Sequence, residues 1–359
     1  MSNGTELFGE AAALASEGRP QDAAELYRQL LDKQPKHLAA AQALACLLEA
    51  GSASGDAAAA RKAAIDIETG SRYSVAKTAI RHGRFDVALR CYRKILDLDP
   101  EDEDAIWGLA EANYGNGDKA EALVWYRRYH YLFPNDPEAA HMMAALGDGS
   151  KPVRASDAYV KETFDNFAED FDRQLLEDLE YKVPKLIYAL FRDIAAGTDK
   201  NLNILDVGCG TGLAGVEFKP HAGRLIGVDL SPEMLKLAEK RKIYDELLEE
   251  ELAGCMQTRA DAFDLIVAAD VFCYIGDLAE TLAAAMVALR SSGRLIFSVE
   301  AQPKRGFSLT GSGRYAHKPA YIRKAAKKAG LREISGRNVN LRTEYGEPVR
   351  GYLTLMEKP

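Results

Sequence analysis

The stretch Asn203-Ile-Leu-Asp-Val-Gly-Cys-Gly-Thr-Gly-Leu-Ala-Gly215 decides the fold of the back half of this chain. Its first five residues, Asn203–Val207, are apolar apart from Asn203 and Asp206 and read as a buried strand. Three alternating glycines then force a tight turn, and an apolar run after them opens a helix. Working outward, Arg224–Val228 is a second strand that ends in Asp229, and Ser231-Pro-Glu-Met starts a helix with Ser as N-cap and Pro at the first position. Phe263–Ala268, Arg294–Val299 and Tyr352–Met356 are further strands. Strands alternating with helical segments predict a parallel sheet covered by helices.

Two cofactor classes use such a glycine turn, and spacing separates them. The dinucleotide fingerprint needs Gly-x-Gly-x-x-Gly. Here Leu213 stands where its third glycine belongs, after Gly208, Gly210 and Gly212, and Asp206 sits inside the strand end. Asp206-Val-Gly-Cys-Gly-Thr-Gly resembles the first motif of class I S-adenosylmethionine (SAM)-dependent methyltransferases.

The front half repeats itself. Gly18-Arg-Pro-Gln-Asp-Ala-Ala-Glu-Leu-Tyr, Gly83-Arg-Phe-Asp-Val-Ala-Leu-Arg-Cys-Tyr and Gly117-Asp-Lys-Ala-Glu-Ala-Leu-Val-Trp-Tyr are three copies of one pattern. Gly83 and Gly117 lie 34 residues apart, as do Pro100 and Pro134. This resembles the tetratricopeptide repeat, a 34-residue helical hairpin. The interval from Gly18 to Gly83, 65 residues, is three short of two units, so a degenerate repeat is expected over 36–70 with its turn near 51–56. Small residues such as Ala23 and Ala88 suit close helix pairs, Tyr27, Tyr92 and Tyr126 suit the gaps between hairpins, and 135–146 reads as a capping helix. A generic alanine-rich bundle is the competing reading.

Composition sets the outer limits. The chain has 359 residues, enough for two cores, and its 47% apolar and 28% charged content excludes wholesale disorder. A net charge of −8 argues against a protein built to coat nucleic acid. Residues 1–150 carry 16 basic and 23 acidic residues against 30 and 31 in 151–359, which suggests two modules with different surfaces. Five scattered cysteines without a Cys-x-x-Cys pair fit neither a disulfide framework nor a zinc knuckle. With neither a secretory leader nor an 18-residue apolar run in the sequence, a cytoplasmic protein without membrane or nucleic-acid partners is expected.

Taken together, the chain resembles bacterial methyltransferases that carry tetratricopeptide repeats at their N-terminus. The resemblance implies an all-α repeat solenoid over 1–148, a linker over 149–156 and a Rossmann-like, seven-stranded methyltransferase domain over 157–359. It implies an enzyme that uses SAM and moves its methyl group to an oxygen or nitrogen acceptor by in-line displacement, without a metal. The repeats would recruit a protein or peptide on their groove, or position the substrate. A non-catalytic SAM-binding scaffold is the main alternative, and a nicotinamide-dependent oxidoreductase is disfavoured by Leu213.

Site residues follow from the same resemblance. Gly208, Cys209, Gly210 and Gly212 would lie against the methionine part of SAM, with Asp206 toward its amine. Asp229 would accept the ribose hydroxyls, with Leu230 beside it. In Leu247-Leu-Glu-Glu-Glu-Leu, Glu251 and Leu252 are candidates for the adenine, although the acidic run is a poor strand and fits a solvated loop as well. Asp270 is placed near the methionine amine or the acceptor, with Tyr274 behind it.

Phe164, Phe167, Ala168 and Phe171 form one apolar helix face, which fits either packing on the sheet edge or an aromatic lid over SAM. In the lid case Tyr159 and Phe167 contact the cofactor and Tyr181 the substrate. His317 is the candidate general base, with Tyr315 and Arg314 orienting the acceptor, while a surface histidine fits the pattern too. From Arg314 to Arg332 there are seven basic and no acidic residues, which would attract an anionic substrate or simply solvate a helix.

Overall fold

The computed structural model describes residues 3–51, 54–168, 171–173, 181–195, 201–344 and 347–359. The chain divides into two compact units, Met1–Asp118 and Lys119–Pro359.

The first unit is a run of helices: α1 (Asn3–Ser16), α2 (Pro20–Lys33), α3 (Leu38–Ala50), α4 (Ser54–Arg81), α5 (Phe85–Leu96) and α6 (Glu103–Gly115). Gly18 and Gly83 turn one helix into the next at φ 78° and 66°, a region that glycine enters without strain. Small residues set the helix spacing. A Cβ on Gly108 of α6 would lie 2.3 Å from the ring of Tyr92 on α5, so the glycine is what admits the tyrosine. Ala11, Ala23, Tyr27, Leu30, Ala40 and Leu44 close the core of the opening hairpins.

The expected degenerate repeat differs in one respect. α4 is a single helix of 28 residues, and it absorbs the second helix of that repeat and the first helix of the next. Pro35, Pro100 and Pro134 break the chain after the other hairpins, but no proline stands between 36 and 99. With nothing to end it, the helix continues, and the missing loop accounts for the three-residue deficit. Of the expected turn at 51–56, residues 52–53 lie outside the described residues.

The second unit opens with α7 (Lys119–Leu132) and α8 (Pro137–Ala145), continues with α9 (Asp157–Phe167), the single turn α10 (Phe171–Arg173) and α11 (Val183–Ala195), and then builds a sheet. The parallel strands β1 (Leu202–Val207), β2 (Ala222–Asp229), β3 (Glu246–Glu249), β4 (Phe263–Ala268) and β5 (Leu289–Ala301) lie in the order β3-β2-β1-β4-β5. Beyond them, β9 (Glu347–Glu357) runs antiparallel to β5 and pairs with β8 (Arg332–Glu344). A short hairpin, β6 (Phe307–Leu309) and β7 (Tyr315–His317), pairs with the tip of β5. Among the described residues the sheet thus has nine strands where seven were expected, the hairpin making up the difference. The acidic run also forms a strand: β3 pairs with β2 from Ile226↔Glu246 to Asp229↔Glu249.

Strand alternation fills two cores. Leu205, Val207, Ile226 and Val228 face a cluster with α14 (Leu252–Gln257), α15 (Ala279–Ala288) and α16 (Pro319–Ala329). Ile204, Leu225, Leu265 and Val267 face α11 and α12 (Leu213–Phe218). Because successive residues point to opposite faces, covering both faces makes the central strands near-continuous apolar runs, as in Ile204-Leu205 and Leu265-Ile-Val-Ala268. The stretch expected as a linker is strapped to this unit, with Tyr315 donating to the Pro152 carbonyl and the Ala155 amide to that of Tyr274. α8 is held there as well: its His141 stacks on Tyr159 at 4.2 Å and bonds the Gly313 carbonyl at 2.7 Å.

Candidate functional site

The crevice lies at the carboxyl ends of β1, β2 and β4, where the strand order reverses. After β1 the chain turns through Gly208, Gly210 and Gly212 at φ 60°, 53° and 92°. A Cβ on Gly208 would sit 2.5 Å from Val271 Cγ2, so no larger residue fits. The Gly210 amide donates to Asp229 Oδ2 at 2.8 Å and the Ser231 amide to Oδ1 at 2.9 Å, which ties the loop to the end of β2. Burial raises the Asp229 pKa against the lowering effect of these amides. Cys209 is buried and its thiol is pushed well up by burial, so this residue offers its backbone rather than a thiolate.

Asp206 is the unusual group. It is 2% exposed; Tyr244 donates to its Oδ2 at 2.7 Å, and Oδ1 has no hydrogen-bond partner among the described residues. Burial, reinforced by Asp229, pushes its pKa up to about 7 against the lowering effect of the Tyr244 hydroxyl and the nearby Gly215 amide, which is not within hydrogen-bond geometry of Oδ1. A buried carboxylate oxygen without a partner is costly, and a ligand cation placed there would remove the cost.

The helix before the sheet covers this loop. Ser231 Oγ donates to Asp165 Oδ1 of α9 at 2.5 Å, and Lys161 pairs with Glu249 at 2.7 Å. Phe171 faces Gly210, whose Cβ position lies 3.9 Å from its ring, and Phe167 packs edge-on against Phe171 at 5.7 Å. Thr211 donates to Asp172, which also receives Arg241. Phe171 therefore lies over the glycine turn, with Phe164 and Phe167 packed against it. Tyr159 does not. Its ring is 7% exposed and stacked on His141, so the expectation that it meets the cofactor is corrected.

At the end of β3, Glu251 caps α14 through a bond from the Gly254 amide at 2.8 Å, and its other oxygen faces Arg154 at 3.4 Å. Leu252 packs into the core beneath, while Leu230 is half-buried beside Asp229.

A second group of charges meets beyond β4. Asp270 adopts φ 61°, rare for a residue with a side chain, and its amide donates to Ser298 Oγ at 2.8 Å. Its carboxylate faces Arg342 Nη1 at 3.2 and 3.4 Å. Arg342, 2% exposed at its side chain, also bonds Glu344 at 2.7 Å and reaches Glu300. Arg314 bonds Glu344 at 2.7 Å and lies 3.7 Å from Glu300. The Tyr274 phenol meets Arg314, and burial pushes its pKa up to about 12. Burial, then the nearby Asp270, holds the Tyr181 phenol well above its ordinary range.

Arg314, Tyr274, Tyr181 and Asp270 are thus brought together. Arg342, Glu300, Glu344, Tyr244, Asp165 and Asp172 were missed by sequence reasoning. A charged residue ending an apolar strand, as in Leu295-Ile-Phe-Ser-Val-Glu300, was the one available signal.

Two expected catalytic residues are corrected. His317 is 0% exposed, its Nε2 bonds the Gly276 carbonyl at 3.0 Å, and burial pushes its pKa down to about 4. A ring sealed in this way cannot take a proton from an acceptor. Tyr315 is 1% exposed and spends its hydroxyl on the Pro152 carbonyl, so it holds the strap rather than a substrate.

Comparison with known proteins adds the following. Residues 205–297 match the family model described as "Methyltransferase domain", and residues 73–137 the one described as "Tetratricopeptide repeat". Methyltransferase-like protein 27 of Homo sapiens is 36% identical over 85 residues, 23% of this chain and 34% of that protein. Nodulation protein S of Rhizobium tropici is 33% identical over 99 residues, 26% of this chain and 42% of that protein. The chain thus spans well under half the length of these relatives. Among solved structures, the N-methyltransferase NodS from Bradyrhizobium japonicum WM9 in complex with S-adenosylhomocysteine is 18% identical, with 56% of this chain and 98% of that one covered and a TM-score of 0.46.

Proposed function

We propose that this chain, which carries a methyltransferase domain and tetratricopeptide repeats, transfers the methyl group of SAM to an oxygen or nitrogen acceptor. The observation that carries the reading is the unpartnered, buried Oδ1 of Asp206 at the mouth of the glycine turn, one strand away from Asp229. Bound SAM would supply a methyl group already activated on a cationic sulfur. Asp206 would accept its ammonium, and Asp229, whose oxygens receive the Gly210 and Ser231 amides and lie near that of Leu230, would accept the ribose hydroxyls with its remaining lone pairs. Gly208 and Gly210 let the backbone approach without a Cβ between, and Phe171 beside Gly210, backed by α9, would shield the bound ligand from water.

Asp270, Tyr181, Tyr274 and Arg314 would align the acceptor, and alignment is the chain's main contribution to the rate. The repeats would recruit a protein or peptide, or position the substrate. The buried free thiols of Cys209, Cys255 and Cys273 suit a reducing compartment, which favours the cytoplasm. No helix among the described residues is long and apolar enough to cross a membrane.

The test is incubation of the protein with methyl-labelled SAM and a cell lysate. Label is expected in a discrete acceptor and absent with Asp229→Ala. SAM binding without transfer would support the scaffold alternative instead.

A further inference from the structure

We propose that the methyl acceptor enters the site as an amine, drawn by the one excess negative charge of the Asp270–Arg342–Glu300–Glu344–Arg314 cluster. The proposal rests on the methyl-transfer reading above.

The cluster sets three carboxylates against two guanidiniums, with side-chain exposures from 2% for Arg342 to 25% for Glu344. Both guanidiniums are turned onto the chain's own carboxylates. An acceptor bearing a carboxylate or phosphate would therefore add a second unmatched charge to a poorly hydrated place, which is costly. Asp270 is the carboxylate whose nearest guanidinium nitrogen is farthest away, at 3.2 Å, whereas Glu344 bonds either arginine at 2.7 Å and Glu300 bonds Arg342 directly. It has the most freedom to face a ligand cation. Asp270 directly precedes Val271, whose Cγ2 lies 2.5 Å from where a Cβ on Gly208 would sit, so the cluster adjoins the glycine turn that follows Asp206. Phe164 stacks edge-on with Tyr274 at 5.5 Å, and these rings add the aromatic faces that attract ammonium groups.

Charge conservation across the step points the same way. A nitrogen lone pair forms the new N–C bond while the S–C electron pair stays on sulfur. One positive charge passes from sulfur to nitrogen, so the excess negative charge stays matched before and after. The amine arrives as the ammonium that the cluster attracts, loses one proton to water beside the sulfonium, whose charge then matches the cluster, and leaves as the methylated ammonium. A hydroxyl acceptor would instead have to lose its proton within the transfer itself, and the sealed His317 takes no proton. Its neutral ether product would leave the excess charge unmatched.

The experiment measures matched probes, benzylamine, benzyl alcohol and benzoate, on full-length protein saturated with S-adenosylhomocysteine, by ligand-observed NMR. Failure of S-adenosylhomocysteine to bind would undo the methyl-transfer reading, not this one. On saturated protein, benzylamine is expected to bind at least tenfold more tightly than the other two. Glu344→Gln, which removes the excess charge while keeping the side chain's shape, should reduce the preference to below threefold, whereas Arg342→Lys should keep it. Equal or tighter binding of the alcohol or benzoate, or binding of none of the three, overturns the proposal. A lysate whose amines have been acetylated should accept at least tenfold less methyl label than an untreated one; undiminished label also overturns it.

Discussion

Asp206 carries the largest consequence of any single side chain. Its pKa of about 7 in the folded state stands above the unfolded value of about 4, so the native protein holds more protons between those limits. Stability from this group therefore falls as pH rises from about 4 to 7, and the penalty is complete above 7. Asp206→Asn should remove it, stabilising the free protein by about 4 kcal/mol at pH 8 and by nothing near pH 4. The same variant should lose SAM affinity at least thirtyfold, and wild-type affinity should weaken as pH drops below 7. Thermal melts at the two pH values check the first part; a variant less stable than wild type at pH 8 would contradict it. Asp206 and Asp229 were legible because a short motif fixes them. His317 was misread because sequence cannot tell a histidine facing a substrate from one bonded to a carbonyl in the interior. Arg342 was invisible because topology alone carries it to Asp270, 72 residues away in the chain.

Among the elements, α9 and α13 (Pro232–Lys240) depend on one hydroxyl. Ser231 is 0% exposed, caps α13 through a bond from the Met234 amide at 3.1 Å and donates to Asp165 of the lid. Ser231→Ala leaves both partners short, and should cost about 1–2 kcal/mol in denaturant unfolding. It should also weaken S-adenosylhomocysteine binding three- to tenfold by loosening α9. Lys236→Ala on the exposed face of the same helix should do neither. Equal effects of the two variants would show that the lid does not lean on Ser231. The cap was readable from Ser231-Pro232, and the lid face from the spacing of its phenylalanines. The acidic β3 was not readable, because glutamates disfavour strands until pairing with β2 supplies the backbone bonds. The fusion of two helices into α4 followed from an absence, the missing proline, which is easily overlooked beside the motifs present.

For the molecule as a whole, the sequence suggested a boundary at 149–156, where Gly and Pro cluster, and the tetratricopeptide match runs to residue 137, while the second compact unit begins at Lys119. His141, Ala144 and Ala145 of α8 pack on Tyr159, Leu309 and Tyr315. A fragment of residues 119–359 should therefore fold and bind S-adenosylhomocysteine within threefold of the full chain. A fragment of 149–359, stripped of that packing, should be about 3 kcal/mol less stable or fail to fold. Equal melting of the two would contradict the assignment. The two-part plan itself was plain from charge asymmetry and repeats, because both are properties of the chain before folding. The central claim is met most directly by a crystal structure of the full chain with S-adenosylhomocysteine. The account predicts the ligand's amine on Asp206 Oδ1, its ribose hydroxyls on Asp229 and α9 across the nucleoside. A ligand bound elsewhere, with Asp206 Oδ1 still alone, would contradict it.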